Sequence, residues 1–181
     1  MIRQGLIITL ILLTILSLIG LRAKLVEPSS TLREADNLEL GDILFVDIYD
    51  GWCIYGYWDH IAIYVGDGRV VEATYNGGGM LTPLRAFLKR DCPAKMVVKR
   101  LKKETPGRER IIQEAVDYAL AQVGKGFDHL ALFTGAHKIG SRAHTCAELI
   151  WRAYKAGGVD LDSNGGIFIW PDDIYYSSKL I

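Results

Sequence analysis

Three residue types in this sequence have the chemistry of an activated thiol. Thr145-Cys146-Ala147-Glu148 matches the T-x-x-E pattern of a helix capping box, with Thr145 as cap and Cys146 as the first helical residue. A thiol at that position faces backbone N–H groups without intrahelical partners and the positive end of the helix dipole, and both favour thiolate over thiol. The thiolate is the nucleophilic form, and an ordinary cysteine, with a pKa of about 8.5, supplies little of it at neutral pH. The backbone N–H of Cys146 is also a candidate donor to an oxyanion. The competing reading is a buried structural cysteine, since cysteine is among the most buried residue types.

His60 opens the stretch Asp59-His60-Ile61-Ala62-Ile63-Tyr64-Val65-Gly66 and is the candidate general base. Glu72 interrupts the apolar run Val70-Val71-Glu72-Ala73, where a carboxylate requires a partner unless it sits on a solvated edge. Gly66-Asp67-Gly68 reads as the turn of a hairpin joining the two. With a three-residue loop, Ala62 faces Glu72, and His60 becomes a same-face diagonal neighbour of the carboxylate. With a two-residue turn the pair falls on opposite faces, so the turn type decides whether it exists.

The elements that must position these residues are legible in outline. Ile43-Leu44-Phe45-Val46, Ile61–Val65, Arg69–Thr74 and Lys95–Leu101 read as strands, and Ile167-Phe168-Ile169-Trp170 as a last one. Gly77-Gly78-Gly79 reads as a flexible loop, and Thr82-Pro83 as the start of a short helix, with threonine as cap and proline at the first position. Ile111, Ile112, Ala115, Val116, Ala119, Leu120 and Val123 form one helical face after Pro106-Gly107. Thr145–Ala156 is a second helix closed by Gly157-Gly158, and Pro171-Asp172-Asp173 begins a terminal helical turn. Early strands flanked by helices give an α+β class with a mainly antiparallel sheet.

The order G-D-I-L-F, D-H-I-A-I-Y-V-G, V-V-E-A and T-C-A-E-L-I-W-R-A-Y resembles the circularly permuted NlpC-type papain-like amidases, and W-P-D-D-I-Y-Y-S-S is similar to their usual ending. The resemblance runs from about Leu40 to Ser178 and points to the YiiX/YaeF-like bacterial group, with lecithin retinol acyltransferase-like enzymes as relatives. The histidine precedes the cysteine, as in the permuted members and unlike papain. The resemblance implies a papain-like fold, with Cys146 as nucleophile, His60 as base and Glu72 as the residue that orients the imidazole. It also implies a structural role for Asp128-His129, after Gly126-Phe127. The reaction expected is attack of the thiolate on a carbonyl, a thioester acyl-enzyme, and its release to water or another acceptor. The expected substrate is a cell-envelope amide or peptide. An acyl lipid, or a fold that binds without turnover, is the alternative.

Lys and Arg number 21 and Asp and Glu 21, and no basic stripe is present, so nucleic acid is not an expected partner. His129, His137 and His144 match no tight ligand spacing with the cysteines, so no metal or other cofactor is expected. Cys53 and Cys92 would be free to pair in an exported chain, but the reading preferred is that both are small buried apolar residues. Trp52, Tyr55, Tyr57 and Trp58 wall a groove near His60 or pack in the core. The uncharged run Leu6–Leu21 lies between the length of a secretory core and that of a membrane span. Residues 1–23 are therefore expected to be a membrane anchor or signal segment, 24–38 a linker containing Pro28-Ser29-Ser30, and 39–181 the hydrolase domain, anchored or exported and extracytoplasmic.

Overall fold

Strand β1 (Ile43–Asp47) is buried at every position, and the rest of the sheet is laid out on either side of it. β2 (His60–Tyr64) pairs with one edge of β1 and β5 (Lys95–Lys99) with the other, while β3 (Arg69–Thr74) and β4 (Gly78–Pro83) extend the sheet beyond β2. The order is β4-β3-β2-β1-β5, and every pairing is antiparallel. The helices are α1 (Leu84–Asp91), α2 (Arg108–Leu120), α3 (Cys146–Ala156) and α4 (Pro171–Tyr175). The structure is a computed structural model that describes residues 37–48, 56–91, 95–131, 138 and 143–181, within the unit Asp36–Ile181. The apolar run Leu6–Leu21, Trp52, Cys53, Tyr55, Cys92 and His137 lie outside the described residues. Among the described residues no helix is long and apolar enough to cross a membrane.

Strand side chains alternate between faces, and here both faces are covered. Ile43, Phe45, Ile61, Ile63, Val71 and Ala73 join Ile112, Ala115 and Val116 of α2 and Leu149, Ile150 and Ala153 of α3 in one apolar cluster. The alternate residues Leu44, Val46, Ala62 and Val70 are also fully buried, as is Phe87 of α1. Burial on both sides explains why β1 reads as an unbroken apolar run. Leu120 and Val123, which continue the periodicity of α2, are instead exposed near its C-terminal end. At the start of β1, the buried Asp42 carboxylate takes a two-pronged contact from Arg100 Nε and NH2, both 2.6 Å. This fixes the sheet at the end of β5, where Arg100 also pairs its backbone with Ile181.

The structure departs from the sequence expectation in three places. Gly77-Gly78-Gly79 is not a free loop, because Gly78 and Gly79 begin β4, opposite Thr74 and Ala73. Glycine is required there by close approach. A Cβ at Gly78 would lie 2.1 Å from the Lys125 carbonyl oxygen, and one at Gly79 2.3 Å from that of Gln122. The same approach lets Gly79 N–H donate to Lys125 O and Gly124 N–H to Gly79 O, 2.8 Å each. Thr82 and Pro83 end β4 instead of opening a helix, and α1 starts at Leu84. An edge strand tolerates proline because one side of its ladder has no partner to lose. Ile167–Trp170 is not a strand: Ile169 drops into the core while Ile167 stays exposed. Of its backbone groups, Ile167 O accepts from Lys138 N–H and Trp170 N–H donates to Asp173 Oδ2.

Gly79→Ala should destabilise the protein by about 1–3 kcal/mol in urea titration, as overpacking does, because backbone and not a flexible side chain stands in the way. A chain beginning at Asp36 should unfold cooperatively with the midpoint of the full chain measured in detergent. Aggregation of that shorter chain alone would show that residues before Asp36 are needed for folding.

Candidate active site

The β2–β3 turn holds Gly66, Asp67 and Gly68 at φ of +88°, +50° and +65°. Two glycines and an aspartate are among the few residues that enter this region at little cost. Val65 N–H donates to Arg69 O and Arg69 N–H to Gly66 O, both 3.0 Å, which closes a three-residue loop. The resulting register pairs Ile63 with Val71 and Tyr64 with Val70, which sets Ala62 opposite Glu72. His60 and Glu72 are therefore diagonal neighbours on one face, and His60 Nε2 lies 2.8 Å from Glu72 Oε2. Glu72 is not on a solvated edge, for β3 runs between β2 and β4 and the residue is fully buried. Its second oxygen, Oε1, accepts a 2.5 Å hydrogen bond from Thr82 Oγ1 on β4. Phe87 of α1 stands beside the imidazole, with ring centroids 6.0 Å apart.

Cys146 arrives from the other half of the chain as the first residue of α3. The capping box is complete: Glu148 N–H donates to Thr145 Oγ1 at 3.2 Å, and Thr145 N–H donates to Glu148 Oε2 at 2.8 Å. Cys146 is half-buried and is a free thiol. Its side chain is the first of the influences that raise the His60 pKa, ahead of Glu72. Burial by itself pulls the His60 pKa down. The hydrogen bonds from Cys146 and Glu72, with their charges, outweigh it and push the value up to about 10. Between the Glu72 carboxylate and the Cys146 side chain the imidazole is thus shifted toward its charged form.

Two supporting groups escaped the sequence reading. Thr82 reads in the sequence as a helix cap, and only the strand register places it against Glu72. Asp172 lies in the recognised W-P-D-D ending, but its partner is remote in sequence. Its Oδ2 accepts the backbone N–H groups of Tyr57 and Trp58 at 2.9 and 3.1 Å, which holds the segment leading into His60. Trp58 packs against Phe45 and Tyr175 in the core, while Tyr57 is exposed, so the two aromatics described here divide between packing and surface. Asp128 supports the approach to the thiol: its Oδ1 accepts the N–H groups of Leu130 and Ala131, and its own N–H donates to His144 O. His144, two residues before Cys146, is buried with Nε2 3.2 Å from Gln122 Oε1, which also accepts from Lys125 Nζ. Burial, then the charges of Arg152 and Lys125, lower its pKa to about 4 against the opposing pull of Asp128. Among the described residues no group of three or more His, Cys, Asp or Glu is placed to hold a metal ion.

Residues 37–165 match the family model described as permuted papain-like amidase enzyme, YaeF/YiiX, C92 family. The uncharacterized protein YycO of Bacillus subtilis (strain 168) is 26% identical over 152 residues, covering 83% of this chain. The match spans only 57% of YycO, so the relative is considerably longer than the matched region. The crystal structure of metalloprotein yiiX from Escherichia coli O157:H7 superposes with a TM-score of 0.59 at 17% identity, covering 79% of this chain and 94% of that one, and so shares the fold. The metal-binding description belongs to yiiX.

The two buried histidines should titrate in opposite directions from the ordinary value of about 6.5. In imidazole NMR, His60 should keep its charge to about pH 10 and His144 should stay neutral to about pH 4. His60 then contributes stability that is full below pH 6.5 and is lost as pH rises toward 10, whereas the His144 contribution is full above pH 6.5 and is lost as pH falls toward 4. Urea titrations of the parent, His60→Gln and His144→Gln chains across that range check the sign, because each substitution should flatten only its own limb.

Proposed function

The chain belongs to the permuted papain-like amidase family of the YaeF/YiiX type, and from that premise we propose that it is a cysteine hydrolase cleaving an amide or peptide bond of the cell envelope through a thioester on Cys146. The observation that carries this reading is the placement of one imidazole between the Glu72 carboxylate and the Cys146 side chain. Glu72 occupies Nε2, which leaves Nδ1 for the thiol. With the thiol proton already on His60, the Cys146 sulfur attacks the carbonyl carbon to give a tetrahedral oxyanion. Collapse forms the thioester as His60 returns the proton to the departing nitrogen. His60 then takes a proton from water, whose oxygen attacks the thioester and releases the acid and the thiol. Glu72 fixes the tautomer and orientation of the ring and favours its charged form. The Cys146 N–H, at the first position of α3, is the backbone donor this mechanism would use for the oxyanion. The run Leu6–Leu21 would hold this domain outside the cytoplasm at a membrane surface, near such a substrate.

Peptide mapping of the acylated protein tests the reading. Peptide amides should load Cys146, and Cys146→Ala should not load at all. His60→Ala should slow acylation about 10²–10⁴-fold, the usual contribution of general acid–base catalysis. Glu72→Gln should slow it less than Glu72→Ala, because the amide oxygen still accepts from Nε2. Loading only by lysophospholipids would move the substrate class to acyl lipids, and a Cys146 no more reactive toward iodoacetamide than an ordinary thiol would point to a binding domain.

A further inference from the structure

Glu72 is fully buried, yet both its oxygens are engaged by side chains from flanking strands: His60 Nε2 on β2 at 2.8 Å, and Thr82 Oγ1 on β4 at 2.5 Å. Thr82 lies opposite Val70 and Met80 opposite Glu72, so the Thr82–Glu72 contact is diagonal on one face, like the His60–Glu72 contact one strand over. Thr82 is itself buried, with 5% of its surface exposed. A buried carboxylate with one oxygen unsatisfied would either rotate or bear the full desolvation cost of that oxygen. We propose that Thr82 is a positioning residue of the site, locking the Glu72 carboxylate so that Oε2 stays on His60 and the chain of contacts Thr82–Glu72–His60–Cys146 acts as one unit. The inference rests on the hydrolase reading for its consequence in turnover, but not for its geometry. The hydroxyl donates its proton to Oε1 and transfers none; its effect reaches the thiol only through the imidazole. The residue type matters because the hydroxyl supplies the bond, and Thr82→Val removes that donor at nearly constant shape.

The test is the rate of Cys146 alkylation by iodoacetamide across pH, read by peptide mapping so that the other cysteines do not interfere, together with His60 imidazole NMR. Thr82→Val should slow alkylation at neutral pH by about tenfold, the equivalent of one charge-assisted hydrogen bond, and should lower the pH at which His60 loses its charge. Thr82→Ser, which keeps the donor, should stay within about twofold of the parent. A folded Thr82→Val chain with the parent's alkylation profile and His60 titration would overturn the proposal. If Thr82→Val does not fold, Thr82→Ala repeats the measurement. A His60 Nε2 proton that exchanges as freely as that of a surface histidine in the parent protein would overturn the proposal without any variant. A parent Cys146 of ordinary reactivity would overturn the hydrolase reading instead, and leave the His60 titration to judge Thr82.

Discussion

The register of the β2–β3 hairpin is the constraint on which the site depends. Side chains on a strand alternate faces, so a shift of one residue would carry Glu72 to the face opposite His60 and leave a carboxylate buried without its cation. The three consecutive positive φ angles of Gly66, Asp67 and Gly68 exclude that shift, since the turn they form closes the loop between Val65 and Arg69. Everything downstream follows from this pairing. Glu72 meets His60 on one side, β4 meets β3 on the other, and the helix carrying Cys146 brings its first residue to the same ring.

Placing the thiol is a separate problem with a separate solution. α3 is anchored by its buried face, Leu149, Ile150, Ala153 and Tyr154, against the sheet and α2. Its start is fixed by the reciprocal bonds of Thr145 and Glu148, a cap of the kind that stabilises a helix by about 1 kcal/mol. The buried Glu148 carboxylate has its pKa raised by burial, and the Thr145 N–H works against that rise. Packing sets where the helix lies, and the cap sets which residue is first. Both are needed, because a thiol one position further along would turn about 100° away around the helix axis.

Local patterns announced most of this. The capping box named the first residue of α3, and the apolar run named β1, because in both cases the signal lies within a few adjacent residues. The His60–Glu72 contact was legible only as one of two alternatives, since the glycine-rich turn admits both loop lengths and its dihedral angles are what distinguish them. Thr82 and the β4 glycines were misread for a common reason. Gly77-Gly78-Gly79 and Thr82-Pro83 carry strong turn and cap chemistry, and what overrides it is close approach to Lys125 and Gln122 and pairing with β3. The contact of Asp172 with Tyr57 and Trp58 joins residues 115 and 114 apart in the chain, beyond any local signal.

That last contact also orders the assembly of the site in time. The base side is local: His60, Glu72 and Thr82 pair across separations of 12 and 10 residues, so a short stretch of chain can close it at modest entropic cost. The carboxylate that clamps the entry to His60 emerges from a ribosome more than a hundred residues later, after the nucleophile. A nascent chain therefore displays Cys146 before the segment leading to its base is held in place. Seen from synthesis, W-P-D-D follows both the thiol and the imidazole, and a chain that stops short of it carries them without the carboxylate that holds the Tyr57 and Trp58 backbone just before His60.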